Sequence, residues 1–306
     1  MTMQVDWLRG CATALVTPFT ATGEVDLDRL KSLIEYQIAS GIRMLVPCGT
    51  TGESATMTDE EDQLVIKTTV EVAGGRAKVI AGTGSNSTAA AIQYSKTARD
   101  LGADALLSVA PYYNKPTQEG LYAHFGAIAK AIDLPIVIYN VPGRTSSNIS
   151  AQTTIRLARD FENIVAVKEA SGNLSQIMEI LRDRPSSFRV ISGDDSLTLA
   201  IIALGGDGLI SVASNEIPGL MNQLIDLALA GNLTDARALH YRLLPLLEAN
   251  FIESSPGPVK AVMAMLGLLD ENFRLPLVPI QEKSRVRLRE ILLELGLLKG
   301  SSHAAS

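Results

Sequence analysis

Short apolar runs alternate with helix-period segments eight times along this chain, and few folds can absorb that pattern. The runs fall at residues 12–16, 44–48, 78–81, 105–109, 136–139, 164–168, 189–192 and 208–212. Apolar runs this short, many of them rich in β-branched residues, suit strands buried on both faces of a parallel sheet. Between them lie segments such as 27–40, where Leu30, Leu33, Ile34 and Ile38 share one helical face. Thr58 and Glu61 are spaced as a capping box that opens the next helix. Gly41 and Gly102 stand where helices should stop. Eight unbroken strand–helix units of about 25 residues predict a closed (β/α)8 TIM barrel. An open doubly wound sheet competes, but it has fewer strands and a glycine fingerprint after the first. The nearest match, Gly82-Thr83-Gly84-Ser85-Asn86-Ser87, follows the third run and has serine at its last glycine position, so it reads as a tight turn. No P-loop pattern occurs.

Beyond the eighth run, residues 215–230, 233–250, 259–266 and 284–295 are helical in pattern. The first completes the barrel, which is assigned to residues 1–230. The other three form a C-terminal helical appendage over 231–298, and 299–306 read as a disordered tail. Pro256-Gly257-Pro258 and the segment from Leu275 to Pro279 read as loops.

With 306 residues and 46% hydrophobic content the chain can bury the core that such a barrel needs. Its net charge of -6 and lack of a long basic run argue against nucleic-acid or anionic-membrane partners. Cys11 and Cys48 make no disulfide framework, and Cys48 reads as a small buried apolar group. His124, His240 and His303 are too scattered for a metal site. No basic start followed by an apolar stretch and no membrane-length run is found, so a cytoplasmic protein is expected.

In a (β/α)8 barrel the chemistry sits at the C-terminal ends of the strands. Lys168 closes the sixth run, in which strict alternation puts Ile164, Ala166 and Lys168 on one side and Val165 and Val167 on the other. A lysine there is either the wet last residue of a strand or an amine kept neutral by burial, and a neutral amine is a nucleophile. The glycines around Thr50 and Thr51 can aim backbone amides at a small anion, or simply make a turn. Tyr139 and Arg144 each have an ordinary reading too, as a buried phenol and a solvated cation. All of them map to one rim, and that convergence favours Schiff-base chemistry. A neutral lysine attacks a ketone, hydroxyls shuttle protons, and an arginine grips a carboxylate, with no metal or organic cofactor needed.

The motifs Gly49-Thr50-Thr51-Gly52-Glu53, Tyr112-Tyr113-Asn114, Tyr139-Asn140-Val141-Pro142-Gly143-Arg144-Thr145, Val167-Lys168-Glu169-Ala170 and Ser192-Gly193-Asp194-Asp195 carry a resemblance. From about Gly10 to Leu298 the chain resembles the dihydrodipicolinate synthase family, within the class I pyruvate-dependent aldolases that include N-acetylneuraminate lyase. The resemblance implies condensation of pyruvate with L-aspartate 4-semialdehyde, on the way to diaminopimelate and lysine. It implies that Lys168 forms the imine, that Tyr139 donates and accepts protons, and that Thr50 and Tyr113 complete the relay. Thr51, Gly193 and the backbone of Ile210 would hold pyruvate, and Arg144 would receive the semialdehyde carboxylate. The Tyr113-type residue reaches a neighbouring subunit's site, which implies a dimer within a tetramer.

The resemblance also implies an effector cleft at Ser54, Ala55, Asn86 and Tyr112, where many members bind lysine. Ala90 stands where lysine-sensitive members carry glutamate, so weak or absent inhibition is expected, with Asp59 turned to solvent. A sibling lyase acting on a sugar acid or another 2-oxo acid is the nearer alternative, but Thr51 and Arg144 favour the synthase. A binding barrel that has lost catalysis should lack a relay residue, and none is missing. Residues 254–260 depart from the family's Asn-Pro-Ile-Pro-Val-Lys, a change expected to touch assembly more than chemistry.

Overall fold

The computed structural model describes residue 3 and residues 5–298. The expected tail at 299–306 lies outside the described residues. Eight parallel strands close into a barrel in chain order: β1 (Gly10–Ala14), β2 (Met44–Val46), β3 (Lys78–Gly82), β4 (Ala105–Val109), β5 (Ile136–Asn140), β6 (Ile164–Glu169), β7 (Arg189–Ser192) and β8 (Gly208–Ser211). The seam between β1 and β8 pairs Gly10 with Gly208. A Cβ on Gly208 would lie 2.2 Å from the Gly10 carbonyl oxygen, so the closure requires bare backbone there.

Two apolar layers follow from strand alternation. Ala12, Met44, Ile80, Leu107, Val137 and Ile210 fill the barrel. Cys11, Leu45, Val79, Leu106 and Ile138 face outward onto helix residues such as Leu30, Ile34, Leu121, Phe125 and Ile177. Burying both faces is what made the strands read as continuous apolar runs.

The alternation expected for the sixth strand is broken. Pairing with β5 runs Ile136 to Ile164 and then Val137 to Ala166, leaving Val165 as an extra residue. Val165 and Ala166 therefore both join the cluster that fills the barrel, while Ile164 and Val167 pack outward. Regular alternation resumes at Ala166, and it turns Lys168 inward beside Tyr139.

Helices separate the strands. The first, Leu27–Ala39, buries Leu30, Leu33, Ile34 and Gln37, with Ile38 at the margin. Gln37 accepts from the Thr13 hydroxyl at 2.7 Å and donates to the Ser214 carbonyl at 2.9 Å, so a polar side chain stitches this helix to the barrel. The helix Asp59–Ala73 opens with the expected capping box of Thr58 and Glu61.

Two turn assignments change. Gly82 and Gly84 do not serve a tight turn: Cβ atoms on them would fall 2.1 Å from the Cys48 carbonyl oxygen and 2.3 Å from the Val109 amide nitrogen. They are glycines because neighbouring backbone passes through the space a side chain would fill. Gly257 and Pro258 belong to the helix Gly257–Met265 rather than to a loop, since a first-turn proline forfeits no helical hydrogen bond. The helices Leu233–Ala249 and Glu282–Glu294 flank it in sequence. Among the described residues no helix is long and apolar enough to cross a membrane.

Candidate active site

Among the described residues two lysines are buried, and their surroundings differ completely. Lys260, 0% exposed, pairs with Glu53 at 2.6 Å and donates to the carbonyls of Asn272 at 2.8 Å and Thr17 at 3.0 Å. Lys168, 6% exposed, has neither a hydrogen bond nor a carboxylate partner among the described residues. Its ammonium lies 4.2 Å from the centroid of the Tyr139 ring. A fully coordinated lysine is held as a cation, whereas an amine without partners is open to a substrate.

Tyr139 and Lys168 are direct partners across β5 and β6, so both side chains share the inner face. Gly193, just past β7, lies against the Lys168 stem. A Cβ there would lie 2.9 Å from Lys168 Cε, so any larger residue would displace the lysine stem. Ile210 lies one strand further round, buried in the same cluster.

Arg144 sits in the four-residue helix Pro142–Thr145 beyond β5. The Thr145 hydroxyl, bonded to the carbonyls of Val141 and Ser147, pins this turn. The Arg144 side chain is exposed and pairs with no carboxylate among the described residues. Below it lies a buried polar network that sequence reading missed. Glu169 accepts from Asn140 Nδ2 at 3.1 Å, from Gln176 Nε2 at 3.2 Å and from the Ser171 amide at 2.8 Å. Asn140 also accepts from the Ile149 amide and donates to Asn148. Burial pushes the Glu169 carboxyl up, and the bonds from Ser171, Asn140 and Gln176 oppose that rise. The available signal was a carboxylate in a strand buried on both faces, next to the lysine.

Thr50 and Thr51 lie in the loop after β2, Thr50 exposed and Thr51 buried. The loop closes on itself through Gly52 N–H to the Gly49 carbonyl and Glu53 N–H to the Thr50 carbonyl. Tyr113 is not brought to this group within one chain: it is 90% exposed and holds φ at +71°. No hydrogen bond joins the hydroxyls of Thr50, Tyr113 and Tyr139 among the described residues. Asn114, next in sequence, anchors the segment by donating to the Asn86 carbonyl at 2.9 Å.

Ser54, Ala55, Asn86 and Tyr112 are all at least partly exposed. Asp62, overlooked in the sequence, accepts from the Ser54 hydroxyl at 2.8 Å and leaves its second oxygen buried without a partner. Burial raises its pKa to about 6, against the opposing bond from Ser54. Asp59 is exposed, and it also neighbours Tyr94, whose phenol is pushed up by burial and then by Asp59. Cys48 is buried as expected, its thiol pushed up by burial.

A closed (β/α)8 barrel with a buried lysine that has no partner among the described residues at its C-terminal rim is the arrangement that a lysine-dependent, class I aldolase requires. The profile of the Dihydrodipicolinate synthetase family matches residues 7–295, and the chain belongs to that family. The 4-hydroxy-tetrahydrodipicolinate synthase of Koribacter versatilis is 53% identical over 97% of this chain and 99% of its own length. The dihydrodipicolinate synthase structure from Aquifex aeolicus superposes with a TM-score of 0.93 at 48% identity, covering 96% of this chain and 100% of that one. The chloride-inhibited enzyme of Acinetobacter baumannii, solved in complex with pyruvate, gives a TM-score of 0.93 at 43% identity, over 95% of this chain and 100% of that one.

Proposed function

We propose that this chain is a 4-hydroxy-tetrahydrodipicolinate synthase, condensing pyruvate with L-aspartate 4-semialdehyde on the route to diaminopimelate and lysine. The observation that carries this reading is the unpaired Lys168 beside Tyr139 in a chain about half identical to enzymes of that name over nearly its full length.

Lys168 Nζ attacks the C2 carbonyl of pyruvate, and water leaves as the imine forms. The protonated imine then draws electrons from the methyl group, which loses a proton to give an enamine. The enamine carbon bonds to the aldehyde carbon of the semialdehyde, whose oxygen takes up a proton. Attack of the semialdehyde amine on the imine carbon closes the ring and returns Lys168 as a free amine. Tyr139 is assigned the proton transfers, with Thr50 and Tyr113 relaying them to solvent. Thr51, Gly193 and the Ile210 backbone are assigned to pyruvate, and Arg144 to the semialdehyde carboxylate. Its exposed and unpaired guanidinium supports that last role.

The catalytic unit is placed in residues 1–230, with 231–298 as a helical appendage. Tyr113, exposed on a strained backbone and without a hydrogen bond to Thr50 or Tyr139 among the described residues, supports a homo-oligomer in which it serves a neighbour, a tetramer built from dimers. Free Cys11 and Cys48 are in keeping with a reducing, cytoplasmic setting.

A coupled assay with pyruvate and aspartate semialdehyde, run against sialic acid and keto-deoxy sugar acids, tests the assignment. Turnover with the semialdehyde alone is expected. Faster cleavage of a sugar acid would replace the synthase with a sibling lyase.

A further inference from the structure

Three separate parts of the chain meet at the ammonium of Lys260. It comes from the helix Gly257–Met265, far in sequence from the barrel rim, and both it and its partner Glu53 have fully buried side chains. Besides Glu53 it holds the carbonyl of Thr17, just past β1, and that of Asn272. The rings of Phe19 and Phe273 approach it at 4.6 and 4.9 Å. Glu53 ends the threonine loop and adopts a left-handed backbone, φ +56°, that a glutamate does not choose unaided. The Thr17 hydroxyl donates to the Gly52 carbonyl at 2.6 Å, so the residue before Glu53 is tied to the same post. A Cβ on Gly52 would lie 3.0 Å from the Leu15 carbonyl oxygen, which leaves this loop little room to relax against β1.

A pair of buried charges is a poor source of net stability, because desolvation of both ions offsets their attraction. Burial raises the Glu53 carboxyl and lowers the Lys260 ammonium, each opposed by the other. What the pair does supply is direction. An ammonium already bonded to two fixed carbonyls can donate to Glu53 at one place only, and Thr51 and Thr50 sit two and three residues before it on a loop closed by its own backbone bonds.

We propose that Lys260 is a positioning residue for the reaction: through Glu53 it sets the threonine loop at the height and orientation needed to receive pyruvate. The helices after the barrel thereby enter the chemistry, rather than assembly alone. This inference rests on the pyruvate assignment above, with Thr51 as a pyruvate-binding group.

The experiment pairs kinetics with thermal unfolding on the whole protein. In Lys260→Met combined with Glu53→Gln both buried charges are gone, so the melting temperature should stay within a few degrees of the parent. The threonine loop loses its post, and KM for pyruvate should rise about tenfold or more, with slower borohydride trapping, as expected for a misplaced binding group. KM for the semialdehyde should move far less. Glu53→Asp provides a second variant that keeps both charges and draws the carboxylate back by one methylene; it should show the same bias toward pyruvate. Wild-type pyruvate KM and trapping rate in either folded variant would leave the pair structural only and overturn the inference. Failure of the parent protein to trap pyruvate would instead remove the function assigned above.

Discussion

Lys168 and Tyr139 face each other across neighbouring strands, the ammonium 4.2 Å from the ring centroid. They are register partners in β5 and β6, and the extra residue at Val165 lies below them. Because Gly193 withholds a side chain from the far side of Lys168, the amine is walled by a ring and a glycine rather than by a carboxylate.

Reduction with borohydride in the presence of pyruvate should add one pyruvate-derived mass to the peptide containing Lys168. Lys260, saturated with acceptors, should stay unmodified, as should Lys115. Peptide mass mapping decides; the adduct on another lysine would move the nucleophile.

Tyr139→Phe should slow turnover by about 10²–10⁴-fold, the usual contribution of general acid–base catalysis. The phenol oxygen holds no hydrogen bond among the described residues, so its removal breaks no internal bond. Unfolding temperature should change little while kcat falls. Near-parental kcat would remove Tyr139 from the proton relay.

Arg144→Ala should weaken use of the semialdehyde and spare imine formation. The guanidinium has no partner among the described residues, and its turn is pinned by Thr145 instead. Steady-state KM for each substrate, together with pyruvate trapping, separates the two effects. A bidentate grip on a carboxylate is not reproduced by lysine, so Arg144→Lys should behave more like alanine than like the parent. Lost trapping would make Arg144 a structural residue.

Lysine, titrated at subsaturating pyruvate, should inhibit weakly. Without a glutamate at position 90, the effector's ammonium forgoes a charge-assisted hydrogen bond of about 1.5–3 kcal/mol, roughly 10- to 100-fold in affinity. Asp62 accepts from the Ser54 hydroxyl, and its pKa is raised to about 6 by burial. It is mostly protonated below that value and ionised above it, so residual inhibition should strengthen as pH rises from 5.5 to 7.5. Half-inhibitory concentrations at several pH values test this. Submillimolar inhibition that is flat with pH would point to a different counter-charge.

The barrel was legible in the sequence because its cause is local. A strand buried on both faces must be apolar throughout, and a helix against it must be apolar on one side, so eight alternations leave little choice of architecture. That Lys168 and Tyr139 lie at one rim was legible because parallel strands in this fold all end on the same side of the barrel. Three things required the tertiary structure. The bulge at Val165 depends on pairing with β5, which alternation along one strand cannot reveal. The spacing of Gly82 and Gly84 looked like a turn, yet its reason is the backbone of other strands. Lys260 and Glu53 are separated by most of the chain, and nothing local distinguishes a lysine locked among three acceptors from one left open, as Lys168 is. Which buried amine is free to react is a property of neighbours, and neighbours are assigned only when the chain has closed.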